Sequence, residues 1–300
     1  MWTDISNQVE NKAEQNKGWM PVLEFKVESA GPTDIPDDAN ERDIYKRLFP
    51  ALFELGPRYT NLYARQKMRK NWTDLDDIEY EGFIAALLHF GRKNLSRADA
   101  WRNYPFGEPF IQSLFTFRRF TDILACFHFV DAEQVSVTER RKDLFWQVRC
   151  LIDNLNETFP KYYTPDQALS VDERGILCKH RLAAKQFNPS KPVKRHIKDF
   201  VLAEAKTGYV LSFFPYQGKL RTNPKEMSLA EYVIRRLLSE RYWNKGYLLA
   251  YDNWFQCLGA AKFCLEKNIN MCSTLRRGRT GFPGRAALQL PDKAERGILP

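Results

Sequence analysis

Long apolar runs are missing from this 300-residue chain. The longest, such as Phe83 to Phe90 and Tyr247 to Tyr251, fall far short of the ~18 residues a membrane-spanning helix needs. The opening Met1-Trp2-Thr3-Asp4 has neither the charged start nor the apolar centre of a secretory signal. Six cysteines, at 126, 150, 178, 257, 264 and 272, include no Cys-x-x-Cys pair, and no histidine lies at zinc-finger spacing. Reduced thiols of a nuclear or cytosolic protein are expected. Cys257 and Cys264 should share one side of a helix as small buried hydrophobes rather than as a metal pair. The chain has no Walker loop, no Gly-x-Gly-x-x-Gly, no His-Glu-x-x-His and no Gly-x-Ser-x-Gly, so the chemistries tied to those motifs find no support. His89, His128, His180 and His196 are scattered, with His128 expected inside an apolar helix. Acidic residues are the scarcer charge, 37 against 46 basic, giving +9. That surplus favours polyanionic partners, nucleic acid ahead of membrane.

What is present is ordinary for a globular chain: 44% hydrophobic and 28% charged residues, with a length that suits about two domains. Residues 1–40 are polar and broken by Gly31-Pro32 and Pro36, which predicts a flexible arm. Residues 41–163 are patterned for helices. Phe83, Leu87 and Phe90 keep helical spacing, as do Phe117, Phe120, Leu124 and Phe127. So do Leu144, Val148, Leu151, Leu155 and Phe159, which Pro160 terminates. These stripes are expected to pack a helical core.

After Tyr163-Thr164-Pro165 the pattern changes. A short strand is predicted at Ala168–Asp172, then a hairpin of Ile197–Glu204 and Tyr209–Tyr216 around Lys206-Thr207-Gly208. Ser228 and Glu231 form a capping-box signature ahead of a helix. Tyr247–Tyr251 has the continuous apolarity of a buried strand. A helix at about Cys257–Lys267 and a strand at Ile269–Leu275 follow. Strands and helices in this order suit an α/β mixed sheet flanked by helices, preceded by an all-helical domain.

Two carboxylates stand out by position. Asp172 ends the first strand and Asp252 ends the buried one. Strand ends are where α/β sheets present ligand-binding side chains. A carboxylate capping an apolar strand is best compensated by a cation, and two on neighbouring strands could share Mg²⁺ (or Mn²⁺), a hard ion that keeps water and phosphate oxygens as its other ligands. Such ions promote phosphoryl transfer. On spacing alone, the commoner outcome is two aspartates that merely begin loops. Glu173 should point to the other face.

The segment Leu169-Ser170-Val171-Asp172-Glu173, with Lys191-Pro192-Val193-Lys194, Ile197-Lys198 and Lys206-Thr207-Gly208-Tyr209-Val210 after it, resembles the catalytic region of piggyBac transposases and their domesticated relatives. Asp252-Asn253-Trp254-Phe255, Ser273 to Arg279, and upstream Arg119 to Phe129 extend the likeness over roughly residue 41 onward. The resemblance implies a ribonuclease H-like (retroviral integrase-like) catalytic domain at 164–281. It also implies a helical dimerisation and DNA-binding region at 41–163 and the start of an insertion domain at 282–300. Activity would be that of a DDE-type DNA transposase, a metal-dependent polynucleotidyl transferase that cleaves and joins DNA strands in the nucleus, as a homodimer on double-stranded DNA. Asp172 and Asp252 would be the first two of three catalytic, metal-binding aspartates. The third is not apparent, because Asp292 falls in the segment resembling the insertion domain, so the catalytic domain reads as incomplete. His180 and Ser273 stand where the family usually has glycine.

Basic runs are usually solvated faces. Beside the Asp172 strand, and with this resemblance, Arg181, Lys185, Lys191, Lys194, Arg195 and Lys198 are read as phosphate contacts. Arg276 and Arg279 match a basic pair that engages DNA in the family. The alternative is a domesticated, catalytically inactive DNA-binding protein, and a third reading is a metal-dependent nuclease of the same fold.

Overall fold

The computed structural model describes residues 23–67, 71–103, 105–218 and 226–275. These divide into two compact units, residues 34–162 and residues 23–33 with 163–275.

The first unit is helical: α1 (Glu41–Leu48), α2 (Pro50–Gln66), α3 (Asp77–Lys93), α4 (Arg97–Ala100), α5 (Pro109–Leu114), α6 (Phe117–Cys126), α7 (Val137–Lys142) and α8 (Arg149–Thr158). Side-chain caps start most of them. Asn40, Asp76, Ser96, Thr116 and Ser136 each accept a backbone N–H three residues on, satisfying donors that a helix start leaves open. The aromatic stripes meet in one core around Tyr80, Phe83, Phe115 and Phe120. The stripe from Leu144 is only partly α-helical: Trp146–Val148 is a 3₁₀ turn and the α-helix begins at Arg149. Asp143 explains the delay. Its carboxylate accepts from the Phe145 amide at 2.9 Å and from Arg149 through two nitrogens at 2.6 and 3.0 Å, holding the entry turn. His128 lies beyond the end of α6 and stacks on Tyr63, ring centroids 3.6 Å apart.

The second unit is built on a mixed sheet. Its strands are β1 (Gly31–Pro32), β2 (Tyr163–Thr164), β3 (Ala168–Leu177), β4 (Lys185–Phe187), β5 (Arg195–Glu204), β6 (Val210–Pro215), β7 (Leu248–Tyr251) and β8 (Asn270–Ser273), with helices α9 (Leu229–Leu237) and α10 (Leu258–Glu266). β1 and β2 pair with each other, and the remaining six form the main sheet. β3 is antiparallel to β5, which carries β4 and β6 on its other edge. On its opposite side β3 is parallel to β7, and β7 is parallel to β8. The two parallel steps are the ones bridged by helices, as parallel connections require. The hairpin β5–β6 closes at Gly208, whose φ of +74° suits a residue without Cβ. Ser228 caps α9 through the Glu231 amide, while Glu231 itself pairs with Arg235 at 2.9 Å, so only half of the predicted capping box forms.

Three expectations are corrected. Residues 23–33 are not a free arm. Leu23, Phe25 and Val27 alternate, and Phe25 meets Tyr247 edge-on at 5.2 Å while the Lys26 amide donates to the Lys245 carbonyl. Burial of Phe25 and Val27 against the sheet's core outweighs the polar composition around them. The first main strand also runs five residues past Asp172, because β5 continues to pair with it as far as Leu177↔His196. Cys257 is the N-cap of α10, not a helical neighbour of Cys264. The expected arm before residue 23 and the expected insertion segment 282–300 lie outside the described residues.

Candidate active site

Alternation along β3 and β7 divides their residues cleanly between the two faces of the sheet. Leu169 and Val171 of β3, with Leu249 and Tyr251 of β7, are buried in the core beneath α9 and α10. Ser170 and Asp172 of β3, with Ala250 of β7, therefore face the other way. The parallel register pairs Ser170 with Ala250 and Val171 with Tyr251. That register ends at Tyr251, and the next residue on each chain segment is an exposed aspartate, Asp172 within β3 and Asp252 just after β7.

Backbone amides fix the orientation of both. Asp172 Oδ1 accepts from the Glu173 amide at 2.7 Å, and Asp252 Oδ1 from the Trp254 amide at 2.8 Å in an Asx turn. Each Oδ2 is left as the oxygen available to a cation. The donor type, hard carboxylate oxygen on the two central strands or just beyond them, suits Mg²⁺ or Mn²⁺. Among the described residues, no three His, Cys, Asp or Glu side chains group in a way that would hold a metal ion.

A third carboxylate does lie on this face, and it is already compensated. Asp199 of β5 is directly opposite Arg174, only 2% exposed, and bonded to Arg174 Nη2 at 2.8 Å. Burial raises its pKa, and the Arg174 bond and charge work against that rise. Arg174 also lies 5.5 Å over the Phe213 ring. Sequence reasoning missed this pair, which no motif signals.

The basic residues divide by environment. Arg181, in the β3–β4 connection, and Lys194 and Arg195, at the β4–β5 turn, are exposed. Arg195 lies 5.9 Å over exposed Phe187 and shares by alternation the face that carries Asp172. Lys185 donates to the His180 carbonyl at 2.7 Å, and Lys191 lies 3.7 Å from Glu173. Lys198 is turned inward: its ammonium pairs with Glu173 on the core face, contrary to the expectation of a phosphate contact. Period two explains this, since Lys198 shares a face with Phe200 and Leu202. Arg276, Arg279 and Asp292 lie outside the described residues.

The family model described as Transposase IS4 matches residues 40–297. The chain belongs to this transposase family. The cryo-EM structure of a piggyBac transposase synaptic complex with hairpin DNA is similar in fold, with a TM-score of 0.75 and 23% identity. The match covers 89% of this chain and 57% of that protein, so the chain spans little more than half of its length. The fold is thus like that of the piggyBac transposase, a ribonuclease H-like mixed sheet with a helical unit before it in sequence.

Proposed function

We propose that this transposase-family protein cleaves and joins strands of double-stranded DNA through the carboxylate pair Asp172 and Asp252, the catalytic residues of the site. The observation that supports the reading is the parallel register of β3 and β7, which pairs Val171 with Tyr251, the residues immediately before the two aspartates. They would hold Mg²⁺ (or Mn²⁺), which when bound polarises a phosphodiester and activates the attacking hydroxyl. The chain's own contribution is placement. The Glu173 and Trp254 amides orient the carboxylates, while exposed Arg181, Lys194 and Arg195 would contact backbone phosphates. Arg276 and Arg279 are proposed for the same role. Nuclear location and pairing of two copies through the helical unit belong to the same proposal.

The fluorescence of Tb³⁺, a hard-ion stand-in, together with Mg²⁺-dependent nicking of duplex DNA, tests it. Asp172→Asn and Asp252→Asn should each abolish nicking and weaken Tb³⁺ binding; unchanged values for both variants would sink the metal assignment. A second reading, DNA binding without cleavage, is favoured by the lack of a third grouped ligand among the described residues. It predicts salt-dependent binding with no nicking in wild type.

A further inference from the structure

On the core face of the sheet, directly behind the aspartate pair, one ammonium touches both of the segments that carry them. Lys198 of β5 pairs with Glu173, the residue next to Asp172. The same Nζ lies 4.6 Å from the ring of Trp254, whose amide binds the Asp252 carboxylate, and 4.8 and 5.8 Å from the rings of Phe200 and Tyr216. Trp254 stacks on Phe200 at 5.7 Å and 19°. The Tyr216 amide donates to the Lys198 carbonyl at 2.8 Å, which keeps its ring beside β5. The Lys198 side chain retains only 17% of its exposure.

An ammonium so enclosed does not reach phosphate. A lysine in a DNA track keeps its head in water, with the stem lying along the surface. Here the head is inside and its charge is matched by one carboxylate and three ring faces, the arrangement that holds a cation most firmly. The Asp252 turn is anchored on its far side by buried Phe255 and by Gln256, which accepts from the Tyr251 hydroxyl at 2.6 Å. The strand ends at Tyr251, and Asp252 and Asn253 are exposed. Trp254 is the first residue after the strand to be packed, and it packs on Phe200 and the lysine.

We infer that Lys198 is a positioning residue of the candidate active site. It ties the Glu173 end of β3 to the Trp254 turn after β7 and so sets the relative placement of Asp172 and Asp252. The inference rests on the proposed metal-binding role of that pair. Loss of groups that orient metal ligands typically weakens metal binding by about 10–100-fold, and an effect of that order is expected from Lys198→Met. Lys198→Arg, which keeps the charge and stacks on rings, should restore most of it.

Three measurements on the full chain separate the outcomes. The first is Tb³⁺ affinity in wild type, Lys198→Met, Lys198→Arg and Asp172→Asn. The second is amide hydrogen exchange across residues 252–256. The third is the salt dependence of binding to a short mixed-sequence DNA duplex. The tie predicts for Lys198→Met a loss of Tb³⁺ affinity of about tenfold or more, faster exchange at 252–256, and an unchanged salt slope. A slope lower by about 0.9 with unaltered exchange would make Lys198 a phosphate contact and overturn the inference. Tb³⁺ affinity equal to wild type in a folded Lys198→Met would also overturn it. If Asp172→Asn binds Tb³⁺ as wild type does, the metal-site reading fails, and the exchange data still decide whether Lys198 fixes the loop. Should Lys198→Met not fold, Glu173→Gln, which removes one end of the tie and leaves the ammonium, is expected to speed exchange at 252–256, and no change would refute the tie.

Discussion

Arg174 and Asp199 illustrate how one residue can set the electrostatics of a sheet face. A carboxylate that is 2% exposed is tolerable only because a guanidinium opposite it on the neighbouring strand supplies a 2.8 Å bond. Arg174→Gln should therefore destabilise the fold by about 1–3 kcal/mol at neutral pH, read from urea unfolding. The pH dependence has a definite sign. Burial raises the folded pKa of Asp199 above its ordinary 3.8, so the native state holds that proton more tightly than the unfolded chain. Its contribution favours folding at low pH and declines as pH rises through the folded value. Removing Arg174 raises that pKa further, so the deficit of Arg174→Gln should shrink on acidification toward pH ~4. A deficit that is flat with pH would mean the pair carries no buried charge.

Secondary-structure elements add a second set of tests. Gly246, just before β7, has φ of +74°, and a Cβ there would lie 2.1 Å from the Glu24 carbonyl oxygen. Gly246→Ala should cost upwards of about 1 kcal/mol and free residues 23–27 to proteolysis, while Ser228→Ala, removing the cap of α9, should cost about 1 kcal/mol without exposing that segment. Limited digestion with mass mapping, alongside thermal melts, distinguishes them. The elements that local pattern specifies were legible: the hairpin at Gly208, apolar β7, and the helix capped by Ser228. Short or non-local pieces were not. β1 and β2 are two residues each and exist only by pairing across the chain, and β4 has three residues without alternation. At the site, Asp172 and Asp252 stood out as strand-end carboxylates, but register is a tertiary property that spacing does not carry. The inward turn of Lys198 was readable in principle, because period two places it with Phe200 and Leu202. The run of lysines and arginines around it drew the opposite reading.

Over the whole molecule, +9 net charge and a pI near 9.2 dispose the protein to a polyanion, and no helix among the described residues is long and apolar enough to cross a membrane. Binding to duplex DNA should fall linearly on a log–log plot against salt. Arg181→Ala, Lys194→Ala and Arg195→Ala are each expected to lower that slope by about 0.9, which fluorescence anisotropy across a salt series would measure. Slopes that stay at the wild-type value in all three would remove the β3–β4 connection and the β4–β5 turn from the interface.

The parallel pairing of β3 with β7 carries a further consequence for how the protein comes into being. Its partners, such as Val171 and Tyr251, are 80 positions apart, and closing so distant a contact is entropically slow compared with making the β5–β6 hairpin. On a ribosome, the helices of residues 41–158 and the antiparallel strands β3 to β6 are all made before residue 251 emerges. The strand that leads into Asp252 can therefore join β3 only after residue 251 has been made.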